Sequence, residues 1–130
     1  MGLFGGIFGN SDNKGTNDSA FKWNDLTELK QLDAIVAESV ETPVIIFKHS
    51  TRCPVSRMAL KNFENEYGIA EGEAKPYFLD LIAHRDVSNE IAHRFNVIHQ
   101  SPQVLVIKNG TSVYDESHDG IDAEMVKERL

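Results

Sequence analysis

The apolar residues from Trp23 onward recur at the spacings of helices and strands, and they predict the element order α, β, α, β, α, β, β, α. The first helix is expected to open on a capping box formed by Asp25 and Glu28. It must end before Pro43, because the residue before a proline is driven out of the α region. The later elements are predicted as strands at 44–47, 77–81, 104–107 and 111–116, and as helices at 54–67, from Ser88 to 95, and at 121–130.

Two features of this pattern define the expected sheet. The run Val-Ile-Ile-Phe at 44–47 is continuously apolar, which is typical of a strand buried on both faces. Strands separated by helices predict parallel pairing with right-handed crossovers, whereas Asn109-Gly110 predicts a tight hairpin that adds an antiparallel edge. The predicted fold class is therefore α/β, with a mixed central sheet of parallel strands plus an antiparallel C-terminal hairpin, flanked by helices.

The first twenty residues differ in composition from the rest of the chain. Glycines alternate there with Asn, Asp and Ser, and such sequence cannot recover its ordering entropy by burial. The segment lacks the basic start and uninterrupted apolar stretch of a secretory signal. We expect a flexible N-terminal tail at 1–20 and one domain at 21–130.

Composition excludes several classes of function. The chain has 130 residues and a formal net charge of −7, which argues against non-specific nucleic-acid binding. No apolar run approaches the roughly 20 residues that span a bilayer, so no membrane partner is expected. The single cysteine, Cys53, excludes an internal disulfide and a cysteine-rich zinc site. The five histidines lack the spacing of a metal-binding pair, and no metal site is predicted.

Cys53 occupies a position that favours a reactive thiolate. It follows a predicted strand, where ligand sites of open α/β sheets gather, and it precedes Pro54, a residue suited to the first position of a helix. The positive end of that helix stabilises a negative sulfur. The alternative is an inert buried cysteine, but its neighbours three and four positions away are polar. Positive charge is expected from Lys48, His49, Arg52 and Arg57, and hydroxyl donors from Ser50, Thr51 and Ser56.

The motif Cys53-Pro54-Val55-Ser56 determines the kind of exchange that is possible. Dithiol oxidoreductases have a second cysteine at the last position of this motif, and it attacks the mixed disulfide made by the first. Ser56 cannot do so, and the chain has no other thiol. Any disulfide of Cys53 must therefore form with another molecule, which predicts a monothiol mechanism that uses an external thiol.

A second candidate segment is Ser101-Pro102-Gln103, directly before a predicted strand. Proline is tolerated at the first residue of a strand. A trans peptide bond is the default, whereas a cis bond would leave the backbone of Ser101 free to pair with an extended thiol substrate.

The element order, the Cys-Pro-x-Ser loop and the proline before the third long strand resemble the thioredoxin fold. More specifically, the chain resembles the monothiol bacilliredoxins (bacilliredoxin C, YtxJ-like) of the bacillithiol system. The likeness covers about 21–130 and rests on the segments FKHSTRCPVS at 47–56 and VSNEIAHRFNVIHQSPQVLVIKNG at 87–110, and on the terminal helix.

The resemblance implies that the protein removes bacillithiol caps from client cysteines under oxidative stress. It gives Cys53 the role of attacking thiol, Pro102 that of the cis-proline, and Ser56 the place of the resolving cysteine. It also implies a cytoplasmic enzyme with no tightly bound cofactor and with bacillithiol as co-substrate. The expected partners are bacillithiolated client proteins, a low-molecular-weight thiol and a further redoxin for recycling. We further expect the carboxylates of bacillithiol to pair with Arg52, Lys48 or Arg57.

Two alternatives remain at the level of sequence. One is a monothiol glutaredoxin-like protein that uses glutathione or holds an iron–sulfur cluster through Cys53, although the glycine-rich segment typical of such proteins is missing. The other is a non-enzymatic redox adaptor or thiol sink, which would be capped stoichiometrically and would not turn over.

Overall fold

A five-stranded sheet forms the centre of the computed structural model, which describes residues 21–130. The predicted tail at 1–20 lies outside the described residues. The strands are β1 (Asn24–Asp25), β2 (Val44–His49), β3 (Lys75–Asp80), β4 (Gln103–Lys108) and β5 (Thr111–Ser117). The α-helices are α1 (Lys30–Glu38), α2 (Pro54–Asn65), α3 (Arg85–Phe95) and α4 (Ala123–Glu128), and a 3₁₀ turn spans His118–Gly120.

The strand order is β1-β3-β2-β4-β5, so the apolar strand β2 lies in the middle of the sheet. β3 is parallel to β1 and to β2, and the hairpin of β4 and β5 is antiparallel, which confirms the mixed sheet. The prediction that β4 runs parallel to β2 is wrong, since the two are antiparallel. A helix between two strands usually carries the chain to the opposite end of the sheet, so that the next strand is parallel. Here α3 and the segment 96–102 bring the chain back to the end of the sheet where β3 finished, and β4 therefore runs in the opposite direction.

The two faces of the sheet carry separate apolar cores because successive side chains of a strand point to opposite sides. Val44 and Ile46 of β2 face α1 and α3, whereas Ile45 and Phe47 face α2 and α4. All six residues of β2 are buried. The polar residues at the end of β2 therefore also divide between the two faces.

Aromatic rings fill the core between β2 and α2. The indole of Trp23 lies 5.9 Å, centroid to centroid, from each of the rings of Phe47, Phe63 and Phe78. Its Nε1 donates a hydrogen bond of 2.7 Å to Oε2 of Glu64 on α2. Trp23 thus joins the start of the described chain to the helix that carries the candidate site.

The predicted hairpin between β4 and β5 is confirmed. Asn109 and Gly110 both adopt positive φ, at 52° and 78°, as a two-residue turn of this type requires. Their N–H groups donate to the backbone oxygen and the hydroxyl of Ser39, at 2.9 and 2.8 Å. These bonds fix the hairpin turn against the end of α1.

The predicted capping box is not formed. Asp25 belongs to β1, where it pairs with β3, and α1 begins only at Lys30. The N-cap residue is Leu29, and the side chain of Gln31 bonds the backbone of the two residues before it. Oε1 of Gln31 accepts hydrogen bonds of 2.7 Å from the N–H of Thr27 and 2.9 Å from that of Glu28.

Two other helices begin elsewhere than predicted. α3 begins at Arg85, so Ser88 is a buried residue within the helix and not its cap. α4 begins at Ala123, where the side chain of Asp122 accepts from the first free N–H groups. None of the helices described between residues 21 and 130 is long and apolar enough to cross a membrane.

Candidate active site

Cys53 and Pro102 lie at the same edge of the sheet. β2 ends at His49 just before the cysteine loop, and β4 begins at Gln103 just after the proline. Because the two strands are antiparallel neighbours, with Lys48 opposite Gln103, the end of one meets the start of the other. The fold thus brings together the two segments that the sequence singled out.

Cys53 is the N-cap residue of α2 and has extended backbone angles, φ −107° and ψ 119°. Its carbonyl accepts the first bond of the helix from the N–H of Arg57 at 3.1 Å, and its own N–H donates to the carbonyl of Ser50 at 3.2 Å. The side chain makes no capping hydrogen bond and is half-buried. The sulfur therefore lies at the positive end of a helix and remains partly open to an attacking or departing thiol.

Pro54 occupies the first helical position, where its missing N–H leaves no intrahelical bond unmade. Ser56 is fully buried, and its Oγ accepts a hydrogen bond of 3.0 Å from the N–H of Ser50. The same oxygen lies 2.7 Å from Nδ1 of His49. Ser56, expected as a hydroxyl donor to Cys53, is thus bonded to the end of β2.

His49 differs from its predicted role. It belongs to β2, is only 5% exposed, and its ring lies 5.5 Å from that of Phe78. Burial lowers its pKa below the ordinary value of 6.5; Asp80 and Glu64 act in the opposite direction, and Arg57 adds to the lowering. His49 is therefore neutral at pH 7 and does not supply the positive charge expected from it.

Lys48 also differs from its predicted role. Its side chain is fully buried and leaves the sheet on the face of α1 and α3, opposite to that of α2. Its Nζ lies 2.9 Å from Nδ1 of His99, which is itself 3.4 Å from the hydroxyl of Ser88. Burial lowers the pKa of Lys48 to about 8. The expectation that Lys48 supplies charge beside Cys53 is therefore wrong.

Replacing Lys48 by methionine is expected to stabilise the fold at pH 7 by about 1–3 kcal/mol, because a buried charge without an acidic partner is replaced by an apolar chain of similar length. The pKa of Lys48 is about 8 in the folded protein and 10.5 in the reference state. Between about pH 8 and pH 10.5, Lys48 is protonated more fully in the unfolded chain than in the folded protein. The free energy of unfolding of the wild type therefore rises with pH, and its difference from that of Lys48→Met becomes smaller.

Urea unfolding at pH 7 and about pH 10 measures this difference, with Lys61→Met, at an exposed lysine of α2, as the matched control. The control is expected to change the free energy of unfolding by less than about 0.5 kcal/mol. A Lys48→Met variant that unfolds at lower urea than the wild type at pH 7 would show that the buried ammonium stabilises the fold.

Three exposed polar residues lie close to Cys53 in the chain. Arg52 and Thr51 precede it, and Arg57 follows in the first turns of α2. Nη1 of Arg57 donates to the carbonyl of Thr51 at 3.2 Å, which holds this guanidinium beside the loop. Of the four cationic positions predicted near the thiol, Arg52 and Arg57 therefore present charge at the surface.

The Ser101–Pro102 peptide bond is cis. Pro102 is buried, and its carbonyl accepts a hydrogen bond of 3.0 Å from the N–H of His118. Ser101 precedes β4, and its hydroxyl is buried without a partner among residues 21–130. The side chain of Gln103 donates to the carbonyl of Ile98 at 3.0 Å and so ties the preceding loop to the sheet.

Sequence reasoning missed two contributors to the site. In the sequence, His99 was noted only as one of the histidines without metal-binding spacing, yet its Nδ1 lies 2.9 Å from Nζ of the buried Lys48. Asp80, paired in register with His49 on β3, was not singled out at all. The only sequence signal was that a strand predicted to stop at Phe47 can continue through the next two residues. No group of three His, Cys, Asp or Glu side chains in the described part of the chain could hold a metal ion.

Known structures with a similar fold identify the fold of the protein. A structure described as that of a candidate oxidoreductase with a thioredoxin fold is 28% identical, covers 81% of this chain and 90% of its own, and superposes with a TM-score of 0.68. Thioredoxins from Malassezia sympodialis (17% identity, TM-score 0.64, 82% and 86% coverage) and Schistosoma mansoni (22%, 0.60, 82% and 96%) share the fold. The protein has the thioredoxin fold.

Its family follows from the sequence match. The family model of the monothiol bacilliredoxin BrxC matches residues 24–126, which is most of the chain and includes Cys53 and Pro102. The chain belongs to the monothiol bacilliredoxin family. The single cysteine of the chain is consistent with that description.

Proposed function

We propose that the protein removes bacillithiol from mixed disulfides on client proteins by thiol–disulfide exchange at Cys53. The proposal rests on the arrangement of residues at the start of α2. There the chain's one thiol lies at the helix N-terminus, and Ser56 occupies the position from which a second thiol would resolve it. Membership in the bacilliredoxin family supports bacillithiol as the small thiol.

The first step transfers the cap. The thiolate of Cys53 attacks the bacillithiol sulfur of the mixed disulfide, and a new sulfur–sulfur bond forms as the old one breaks. The bonding electron pair leaves with the client sulfur, which takes up a proton from solvent as a free thiol. Cys53 is then oxidised to a mixed disulfide with bacillithiol, and the client is reduced.

The second step regenerates Cys53. A second bacillithiol thiolate, or the thiolate of another redoxin, attacks the bacillithiol sulfur bound to Cys53, and Cys53 leaves as a thiolate. With bacillithiol as the attacking thiol, the product is bacillithiol disulfide, which carries away the oxidation removed from the client. Each cycle consumes one disulfide and one bacillithiol thiol and forms one disulfide and one client thiol, so it balances without a tightly bound cofactor.

Substrate binding is proposed at two segments on either side of the Cys53 thiol: the residues just before β4, and the loop that contains Arg52. The backbone groups of Ser101 lie directly before Pro102 and β4, and we assign them the role of pairing with an extended thiol substrate. Arg52 is exposed and makes no hydrogen bond or ion pair with residues 21–130, so its guanidinium is available to a carboxylate of bacillithiol. Lys48 is buried and bonded to His99, so we do not assign it a role in binding the carboxylates of bacillithiol.

Replacing Arg52 by alanine is expected to slow turnover of a bacillithiolated peptide about threefold to fivefold, since an exposed ion pair contributes up to about 1 kcal/mol. Turnover of the same peptide capped with uncharged 2-mercaptoethanol should fall less, because an effect of the Arg52 charge on the Cys53 thiolate would be common to both substrates. Steady-state assays of both substrates measure the difference, and Lys61→Ala on α2 is the matched control for loss of a surface charge. Equal losses on the two substrates would remove Arg52 from carboxylate recognition.

The proposed function is tested by turnover on one peptide carrying either bacillithiol or glutathione, with the corresponding free thiol in excess. We expect many cycles per protein molecule, and a faster reaction with the bacillithiol pair. A faster reaction with the glutathione pair would favour a glutaredoxin-like activity. Capping of Cys53 once per molecule, without release, would favour a redox adaptor.

A further inference from the structure

His49 and Ser56 form a buried polar pair beneath the first turn of α2, and the exchange steps above do not use it. His49 is 5% exposed and Ser56 is fully buried. Nδ1 of His49 and Oγ of Ser56 are 2.7 Å apart, and the N–H of Ser50 donates to the same oxygen at 3.0 Å. The pair thus joins the end of the central strand to the helix that carries Cys53.

The proton on Nδ1 of His49 decides what Ser56 can donate. We take the neutral ring to carry its proton on Nε2, so that Nδ1 gains a proton only when the ring becomes charged. A hydroxyl has one proton and two lone pairs, and the N–H of Ser50 uses one lone pair. If Nδ1 of His49 carries no proton, the hydroxyl of Ser56 donates to it. If Nδ1 carries a proton, it donates to the remaining lone pair, and the hydroxyl proton becomes free to bond elsewhere.

Cys53 is the group that such a freed hydroxyl would meet. It is the N-cap residue of α2, and Ser56 is the third residue of that helix. Side chains at the N-cap and at the third helical position lie on the same side of the first turn, which is the geometry of reciprocal capping. The sulfur of Cys53 makes no capping bond of its own.

We propose that His49 is a positioning residue that acts through Ser56, and that its protonation frees the Ser56 hydroxyl to stabilise the Cys53 thiolate as a leaving group. The proposal deepens the proposed function, because it concerns the discharge step at the same sulfur. When an external thiolate breaks the disulfide, the electron pair moves to Cys53. Ser56 then donates a hydrogen bond to that sulfur while His49 donates to Ser56, and no proton is transferred between them.

The charged groups around His49 come from two elements. Asp80 faces it from β3, in direct register, and Glu64 and Arg57 face it from α2. Burial lowers the pKa of His49 below its ordinary value of 6.5, so its protonation lies on the acidic side of that value. The coupling should therefore appear below about pH 6.5.

The test follows discharge of a disulfide between Cys53 and 2-mercaptoethanol by dithiothreitol, across pH. Attack on the mercaptoethanol sulfur expels Cys53 directly as a thiolate, whereas attack on the Cys53 sulfur expels 2-mercaptoethanol, and Cys53 then leaves when the second thiol of dithiothreitol closes its ring. The release of free Cys53 is therefore the event that is followed. Rates are divided by the thiolate fraction of dithiothreitol, so that its own titration is removed. In the wild type the corrected rate is expected to rise about tenfold as pH falls through the His49 titration, since a hydrogen bond to a charged group contributes about this much.

His49→Gln and Ser56→Ala are expected to give flat corrected profiles, whereas His93→Gln, at an exposed histidine of α3, should keep the rise. A flat profile in the wild type, or a rise that survives either site variant, would overturn the proposal. Because the probe contains no bacillithiol, the result does not depend on which thiol is physiological. Failure of the proposed function in the peptide assay would therefore be distinguishable from failure here.

A second measurement needs no variant and so does not depend on their folding. Coupling between two sites is reciprocal, so a Cys53 thiolate that is favoured by protonated His49 must favour that protonation in turn. The ring-nitrogen resonances of His49 should titrate about one pH unit higher in the reduced protein than after Cys53 is capped as a methyl disulfide, which corresponds to tenfold coupling. Coincident titration curves would contradict the proposal.

Discussion

Replacing Ser56 by cysteine is expected to convert the protein from a monothiol to a dithiol oxidoreductase. The new thiol would lie at the third position of α2, where dithiol members of the fold class have their resolving cysteine, and beside the neutral His49, which can accept its proton. Ser56→Cys should form an internal disulfide with Cys53 and release bacillithiol from it without an external thiol. It should also gain the ability to reduce insulin disulfides.

Non-reducing mass spectrometry of the oxidised variant measures the internal disulfide, and insulin reduction measures the new activity. Thr111→Cys is the matched control, because it adds one exposed thiol on β5, beside the hairpin turn that contacts the end of α1. This control should form no internal disulfide. A Ser56→Cys variant that still accumulates a Cys53–bacillithiol adduct at the wild-type level would show that the two positions do not meet.

The second large effect is expected from Cys53→Ser. A hydroxyl is a very poor nucleophile toward a disulfide, so turnover should fall to the uncatalysed background. The side chain makes no capping bond, and the change should therefore alter the free energy of unfolding by less than about 1 kcal/mol. Assays of turnover and of urea unfolding on the same preparation separate loss of chemistry from loss of fold. Residual turnover above background would place the attacking group elsewhere.

Local signals in the sequence predicted the parts of the site that depend on local structure. Pro54 indicated where α2 begins, and the structure has it at the first helical position, directly after Cys53. Asn109-Gly110 required two positive φ angles in succession, and the structure has both. Each of these features follows from the conformational limits of one or two residues, which is why it can be read without knowledge of the rest of the fold.

The features that were wrongly predicted depend on tertiary packing. Lys48 and His49 look like loop cations beside Cys53, but pairing with β3 extends β2 through both of them. Adjacent residues of a strand point to opposite faces, so one side chain leaves toward His99 and the other toward Ser56. Burial then lowers both pKa values, which composition cannot show.

Strand direction and helix starts were also determined by the assembled sheet. An apolar run predicts a buried strand but has no polarity, so β4 was placed correctly in sequence and wrongly in direction. Asp25 has the chemistry of a helix cap, yet its backbone pairs with β3, and the segment before α1 is held instead by the side chain of Gln31. In each case a long-range contact overrode a local preference that was itself reasonable.

In the proposed reaction, bacillithiol passes from a client to Cys53. This transfer is tested most directly by mixing the reduced protein with one equivalent of a bacillithiolated peptide, quenching with acid and measuring intact masses. We expect the protein to gain the mass of one bacillithiol, located on Cys53, while an equal amount of peptide appears as free thiol. A protein–peptide disulfide with release of bacillithiol, or an unmodified protein beside an intact substrate, would contradict the proposed transfer.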